Sequence, residues 1–156
     1  MQQARVIRQN CLPKTKFGVS ISDAGEIMEV HAMTNGKRPL LEAAVPILSV
    51  IDLSAALDYY ERILGFSVGW QWGDPPHLAS VCRDRVELNL SQSTETMAGI
   101  SRVYFQMSEV EQYYGELVAS GARVAVPLAD RPYGMKDFRI VDPSGNELSF
   151  GEATGS

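Results

Sequence analysis

The chain has 156 residues, 45% of them hydrophobic and 21% charged, with a formal net charge of −5 at pH 7. That suits one compact domain or two half-size repeats with enough apolar mass for a core, and it excludes both several independent domains and wholesale disorder. The acidic balance supplies no basic face for nucleic-acid phosphates, and the longest uncharged apolar run, residues 43–51, is far short of the roughly 20 residues of a membrane span.

No secretory leader pattern stands at Met1, so the expected location is the cytoplasm, with neither membrane nor nucleic acid as partner. Cys11 and Cys82 are too few for a disulfide framework and too far apart in sequence for a local thiol pair that holds zinc; Cys82 reads as a core strand residue. Charge divides the chain. Residues 1–43 carry six basic and four acidic side chains, against eight and fifteen beyond them, which predicts an N-terminal extension over 1–43 and a domain over 44–153. In the extension, residues 17–22 and 27–32 are spaced to pair as a hairpin. Its role stays open between an ordered appendage, a subunit-clasping arm and sequence upstream of a start at Met28 or Met33.

The pattern sharpens at Val45. Residues 45–50 read as a short apolar strand, and Asp52 caps a helix whose stripe of Leu53, Ala56, Leu57, Tyr60, Ile63 and Leu64 ends at Gly65. Strands are expected over 66–72, 77–82 and 85–91, separated by Gly73-Asp74-Pro75-Pro76 and by Arg83-Asp84. After a polar connector the order returns: a strand over 102–107, then a helix begun by a capping box of Ser108 and Glu111 and ended by Gly121. Strands over 123–127, 136–141 and 147–150 follow, the last two joined by the turn Asp142-Pro143-Ser144-Gly145-Asn146. Asp52 to Glu109 is a step of 57 residues and Gly65 to Gly121 one of 56, the offset an internal duplication leaves. The expected fold is therefore α+β: two repeated βαβββ modules whose sheets, each covered by a helix on one face, form a curved trough with the other.

Segments 44–52 (Ala-Val-Pro-Ile-Leu-Ser-Val-Ile-Asp), 59–66 (Tyr-Tyr-Glu-Arg-Ile-Leu-Gly-Phe) and 133–138 (Tyr-Gly-Met-Lys-Asp-Phe), with the turn at 142–146, carry a resemblance. Together they resemble the glyoxalase, bleomycin resistance protein and dioxygenase superfamily, the vicinal oxygen chelate proteins, and within it the bleomycin resistance branch. Metal-dependent members place ligands on the first strand of each half and on the final strand of each half. The matching positions here are Val45, Arg102, Glu87 or Asn89, and Ser149, a set that offers a divalent ion at most one good donor. The resemblance thus implies no metal, no cofactor and no catalytic residue. It implies a homodimer that exchanges its first strand near Pro46 and sequesters a drug in grooves at the subunit interface without altering it.

The expected ligand residues are Trp70, Trp72, His77, Glu87, Asn89, Arg102, Tyr133, Met135 and Phe138. Trp70 and Trp72 alternate on one strand with Val68 and are either core or a stacking platform. His77 stacks or is an ordinary loop histidine. Tyr133 stands where the branch usually has tryptophan, in a Pro-Tyr-Gly-Met loop that lets the ring lean over the trough, unless it merely packs the loop. Glu87, Asn89 and Ser91 share a strand face opposite Val86, Leu88 and Leu90; Glu87 and Asp74 either meet a cationic ligand tail or are solvated. Arg102 pairs with Glu87 across the trough or recognises an acidic ligand. The leading expectation is a metal-free binding protein for a planar, cationic antibiotic such as bleomycin. The alternatives are an enzyme of the same fold acting on a small polar metabolite and a ligand sensor whose extension engages a partner.

Overall fold

The computed structural model describes residues 41–155. They form β1 (Ile47–Val50), α1 (Leu53–Arg62), β2 (Ser67–Gly73), β3 (Pro76–Arg83), β4 (Val86–Gln92), β5 (Arg102–Gln106), α2 (Val110–Ala119), β6 (Arg123–Arg131), β7 (Met135–Val141) and β8 (Glu147–Ala153). Residues 1–40 of the expected extension, with its hairpin, Cys11, His31 and the start-site alternatives, lie outside the described residues. Two four-stranded sheets result, in the orders β1-β4-β3-β2 and β5-β8-β7-β6. In each, the first strand runs parallel to the last and the other pairs are antiparallel. The repeat read from residue spacing is thus two βαβββ modules of one topology.

Asp52 accepts the Ala55 N–H at 2.9 Å, and α1 buries Leu53, Ala56, Leu57 and Tyr60. The chain leaves α1 through Gly65 in the left-handed region, φ +72°, while the Phe66 N–H donates to the Tyr60 carbonyl. The capping box expected at Ser108 and Glu111 does not form. Glu109, itself left-handed at φ 58°, is the cap residue of α2 without a side-chain bond. The helix instead receives the Glu152 carboxylate of β8 on the Val110 N–H at 3.1 Å, and Glu111 pairs with Lys136 of β7. A carboxylate from a neighbouring strand satisfies the orphan donor that a local cap would have served.

The helix-covered faces of both sheets contribute to one apolar cluster, including Leu48, Val50, Val81, Leu88 and Leu90 from the first module and Phe105, Phe138, Ile140, Leu148 and Phe150 from the second. The modules touch on this side: Phe66 and Phe105 have ring centroids 6.5 Å apart, and the Tyr113 hydroxyl donates to the Leu64 carbonyl at 3.0 Å. The 142–146 turn fastens them further. Asp142 accepts the Tyr60 hydroxyl at 3.0 Å, the backbone N–H groups of Ser144 and Asn146, and the Asn146 amide; that amide also donates to the Ser49 carbonyl. Both side chains are buried. Gly99 passes so close that a Cβ there would come within 2.2 Å of the Ser144 carbonyl oxygen.

Candidate ligand-binding site

The faces turned away from the helices carry the polar and aromatic side chains. In the first module, residues paired across strands point the same way, so the registers Ile47 with Asn89, Asn89 with Ser80, and Ser80 with Trp70 define one row across the sheet. Ser49, Ser91, Leu78 and Trp72 form the next. Trp72 is half-exposed, at 51%, and Trp70 partly buried. Both tryptophans therefore lie on the open face. Val68 does not share it as expected: β2 slips register between Val68 and Trp70, so Val68 pairs with Val81 and packs against the core. The bulge explains the difference, because one extra residue reverses the alternation of side chains.

Glu87, Asn89 and Ser91 are on the open face and Leu88 and Leu90 are fully buried, as the alternation requires. Glu87 accepts the Ser80 hydroxyl at 2.6 Å. The Asn89 Oδ1 is buried with no hydrogen-bond partner among the described residues, a costly state for a polar atom. His77 is exposed near the start of β3, its ring against Gly73, where a Cβ would come within 2.3 Å of Nδ1. Cys82 is on this face of β3, half-buried beside Ser67 and Glu87, and not in the core; Val81 holds that position.

The open face of the second module is built around Asp137, which is only 7% exposed. Its carboxylate accepts the Tyr133 hydroxyl at 2.6 Å, the Arg131 Nε at 2.7 Å and the Tyr104 hydroxyl at 3.4 Å. Burial opposes the charge, but the hydrogen bonds from Tyr133 and Arg131 outweigh it and hold the carboxyl below its ordinary range. The same contact, with some burial, raises the Tyr133 hydroxyl. Tyr104 lies over Gly151, where a Cβ would come within 1.9 Å of the phenol oxygen, so the glycine makes room for the ring. Tyr133 and Tyr104 remain 66% and 46% exposed, their hydroxyls anchored and their rings open to solvent.

Arg102 is exposed and pairs with Glu147, Nε to Oε2 at 2.6 Å, in place of the expected partner Glu87 on the other module. Arg139 bonds the same Glu147 oxygen at 3.1 Å and Ser149 at 3.1 Å. Met135 shares the open face with Asp137 and Arg139 and is half-buried. Phe138 does not belong to the site. An odd step along β7 puts it on the opposite face, 1% exposed and stacked on Phe150 at 5.3 Å, so it is a core residue. Sequence reasoning missed Tyr104, Arg131, Asp137 and Arg139, although counting by twos from Arg102 and from Met135 would have put all but Arg131 on the open face.

A family model described as glyoxalase superfamily protein matches residues 29–156. The chain belongs to the glyoxalase superfamily. No curated protein matches it. Among solved structures, this superfamily member is similar to the bleomycin-binding protein of bleomycin-producing Streptomyces verticillus, solved with copper(II)-bleomycin. The identity is 22%, covering 76% of this chain and 100% of that one, with a TM-score of 0.62. It is also similar to TioX from Micromonospora sp. ML1, at 21% identity over 71% and 99% of the two chains with a TM-score of 0.60. A third is TnmS3, an antibiotic binding protein from Streptomyces sp. CB03234, at 21% identity over 73% and 98% with a TM-score of 0.59. These likenesses establish a shared fold.

Metal-dependent relatives raise the question of whether this glyoxalase superfamily chain fits a divalent cation, and its side chains do not. Val45 lies before β1 and is apolar, Arg102 is a permanent cation bound to Glu147, and Ser149 already receives a hydrogen bond from Arg139. Two guanidinium groups occupy the ground a cation would need. Among the described residues, no three His, Cys, Asp or Glu side chains converge to hold a metal ion.

Proposed function

We propose that this protein binds a planar, cationic antibiotic of the bleomycin type and sequesters it chemically unchanged. The observation that carries the reading is the pair of exposed aromatic surfaces on the open sheet faces, Trp70 and Trp72 in one module and Tyr104 and Tyr133 in the other. A flat ring system stacks on such surfaces by offset or edge contacts, each worth about 0.5–1.5 kcal/mol beyond the area it buries. Charge supports a cationic ligand on the tryptophan wall. Among the described residues Glu87 is held by Ser80 alone, while the carboxylates of the other wall, Asp137 and Glu147, are taken by arginines. Asp74, exposed in the β2–β3 turn, adds a second negative group near Trp72.

The working form in this proposal is a homodimer in the cytoplasm, with each groove formed between a tryptophan wall and a tyrosine wall. Exchange of β1 between subunits would preserve the parallel ladder of β1 on β4, and Ile47, 62% exposed on this edge strand, is the apolar surface such a contact would cover. Binding without chemistry is tested by incubating the protein with bleomycin, releasing the drug by denaturation and weighing it by mass spectrometry. The reading expects stoichiometric retention and an unaltered mass; a modified drug would make the protein an enzyme, the alternative reading, and no retention would remove bleomycin as ligand.

A further inference from the structure

A cavity of about 420 Å³ lies on the other side of the sheets from the aromatic walls, at the seam between the two modules. Its floor is made by Phe66, Phe105, Tyr113 and Phe150, core residues of the helix-covered side, and its rim carries Arg83 from the end of β3 and Arg85 from the β3–β4 turn. That volume falls in the roughly 300–1,000 Å³ range of small-molecule sites. The antibiotic reading makes no use of it.

The rim is arranged to receive an anion. Arg83 is fixed twice: its Nη1 donates to the Leu64 carbonyl at 2.6 Å, and its guanidinium carbon lies 4.5 Å from the centroid of the Tyr113 ring. A guanidinium held in this way loses little side-chain freedom when it meets a ligand. Its one acidic partner among the described residues is the exposed Asp84, at 3.6 Å, a surface pair that water screens strongly. Arg85 has no ion pair among the described residues. The mouth therefore carries two cations and one weakly engaged carboxylate above an aromatic floor.

We propose that this seam cavity is a second ligand site, specific for an amphipathic carboxylate whose apolar body rests on the four rings while its head group lies between Arg83 and Arg85. The neutral amide of the same shape lacks the charge that the arginines read, and charge-assisted contacts exceed neutral ones by about a factor of two in strength. The site stands independently of the antibiotic reading, because Trp70, Trp72, Glu87 and Asn89 are on the opposite sheet face.

Calorimetric titration of the full chain with decanoate and with decanamide tests it. Decanoate binds at one site per chain and decanamide at least about tenfold more weakly. The charge reversal Arg85→Glu, at an exposed position outside any ion pair of the described residues, weakens decanoate about tenfold with an unchanged melting temperature. Trp72→Ala leaves decanoate binding as it was. Absence of decanoate binding, equal affinity for the amide, or indifference to Arg85→Glu overturns the proposal, and so does loss of binding in Trp72→Ala, which would move the ligand to the tryptophan wall.

Discussion

Asp137 organises the tyrosine wall. It is a short carboxylate in mid-strand that receives two phenol hydroxyls and one guanidinium, and so turns two long aromatic side chains into fixed surfaces. Tyr133→Ala removes one of these surfaces; binding of bleomycin should weaken roughly threefold to tenfold, the equivalent of one stacking contact, while the melting temperature stays close to that of Tyr133→Phe, which loses the same hydrogen bond to Asp137. A large fall in melting temperature would instead mark the ring as packing. Asp137 also makes the wall sensitive to acid. Because its folded carboxyl lies below the unfolded value, its contribution to stability is complete above about pH 4 and is lost as the pH falls through the depressed folded value. In denaturation series, the stability gap between wild type and Asp137→Asn should therefore close on acidification below about pH 4; a gap that stays constant there would contradict this role. None of this is legible in sequence, where Asp137 is one of many carboxylates and its three donors come from β5, β6 and the loop before β7.

At the scale of elements, periodicity predicts well and local detail fails where a neighbouring element intervenes. Both helices and all eight strands of the described residues stand within a few residues of the expected positions, since apolar alternation and the stops at Gly65 and Gly121 are local signals. The start of α2 departs from expectation because its donor is met by Glu152, 42 residues away in sequence. Val68 and Phe138 fall on the unexpected face for reasons of parity, one through a bulge and the other through an odd step along β7. The 142–146 turn is recognisable by its residues, but its work as a clasp between modules shows only in the contacts of Asp142 and Asn146. Asp142→Ala would leave the Tyr60 hydroxyl, the Asn146 amide and two backbone donors without their acceptor. It should cost about 3 kcal/mol or more, measured by urea denaturation, since buried bonds to a charged acceptor are worth about 1.5–3 kcal/mol each. A loss under about 1 kcal/mol would show the clasp to be incidental. Gly99→Ala should destabilise too, by steric clash in place of lost hydrogen bonds, its Cβ driving into Ser144 at a left-handed backbone position.

The whole molecule is a duplicated scaffold of the glyoxalase superfamily whose open sheet faces present aromatic rings, hydrogen-bonding groups and arginine-bound carboxylates. The family is legible from the ordered motifs and the two module-length offsets. The identity of the ligand is not, because it depends on which side chains converge from separate strands. Tryptophan fluorescence during a bleomycin titration tests the central claim most directly, since the chain's two tryptophans, Trp70 and Trp72, both lie on the proposed wall. The account predicts a quench or spectral shift that saturates near one drug molecule per chain. An unchanged emission up to high micromolar drug would contradict it.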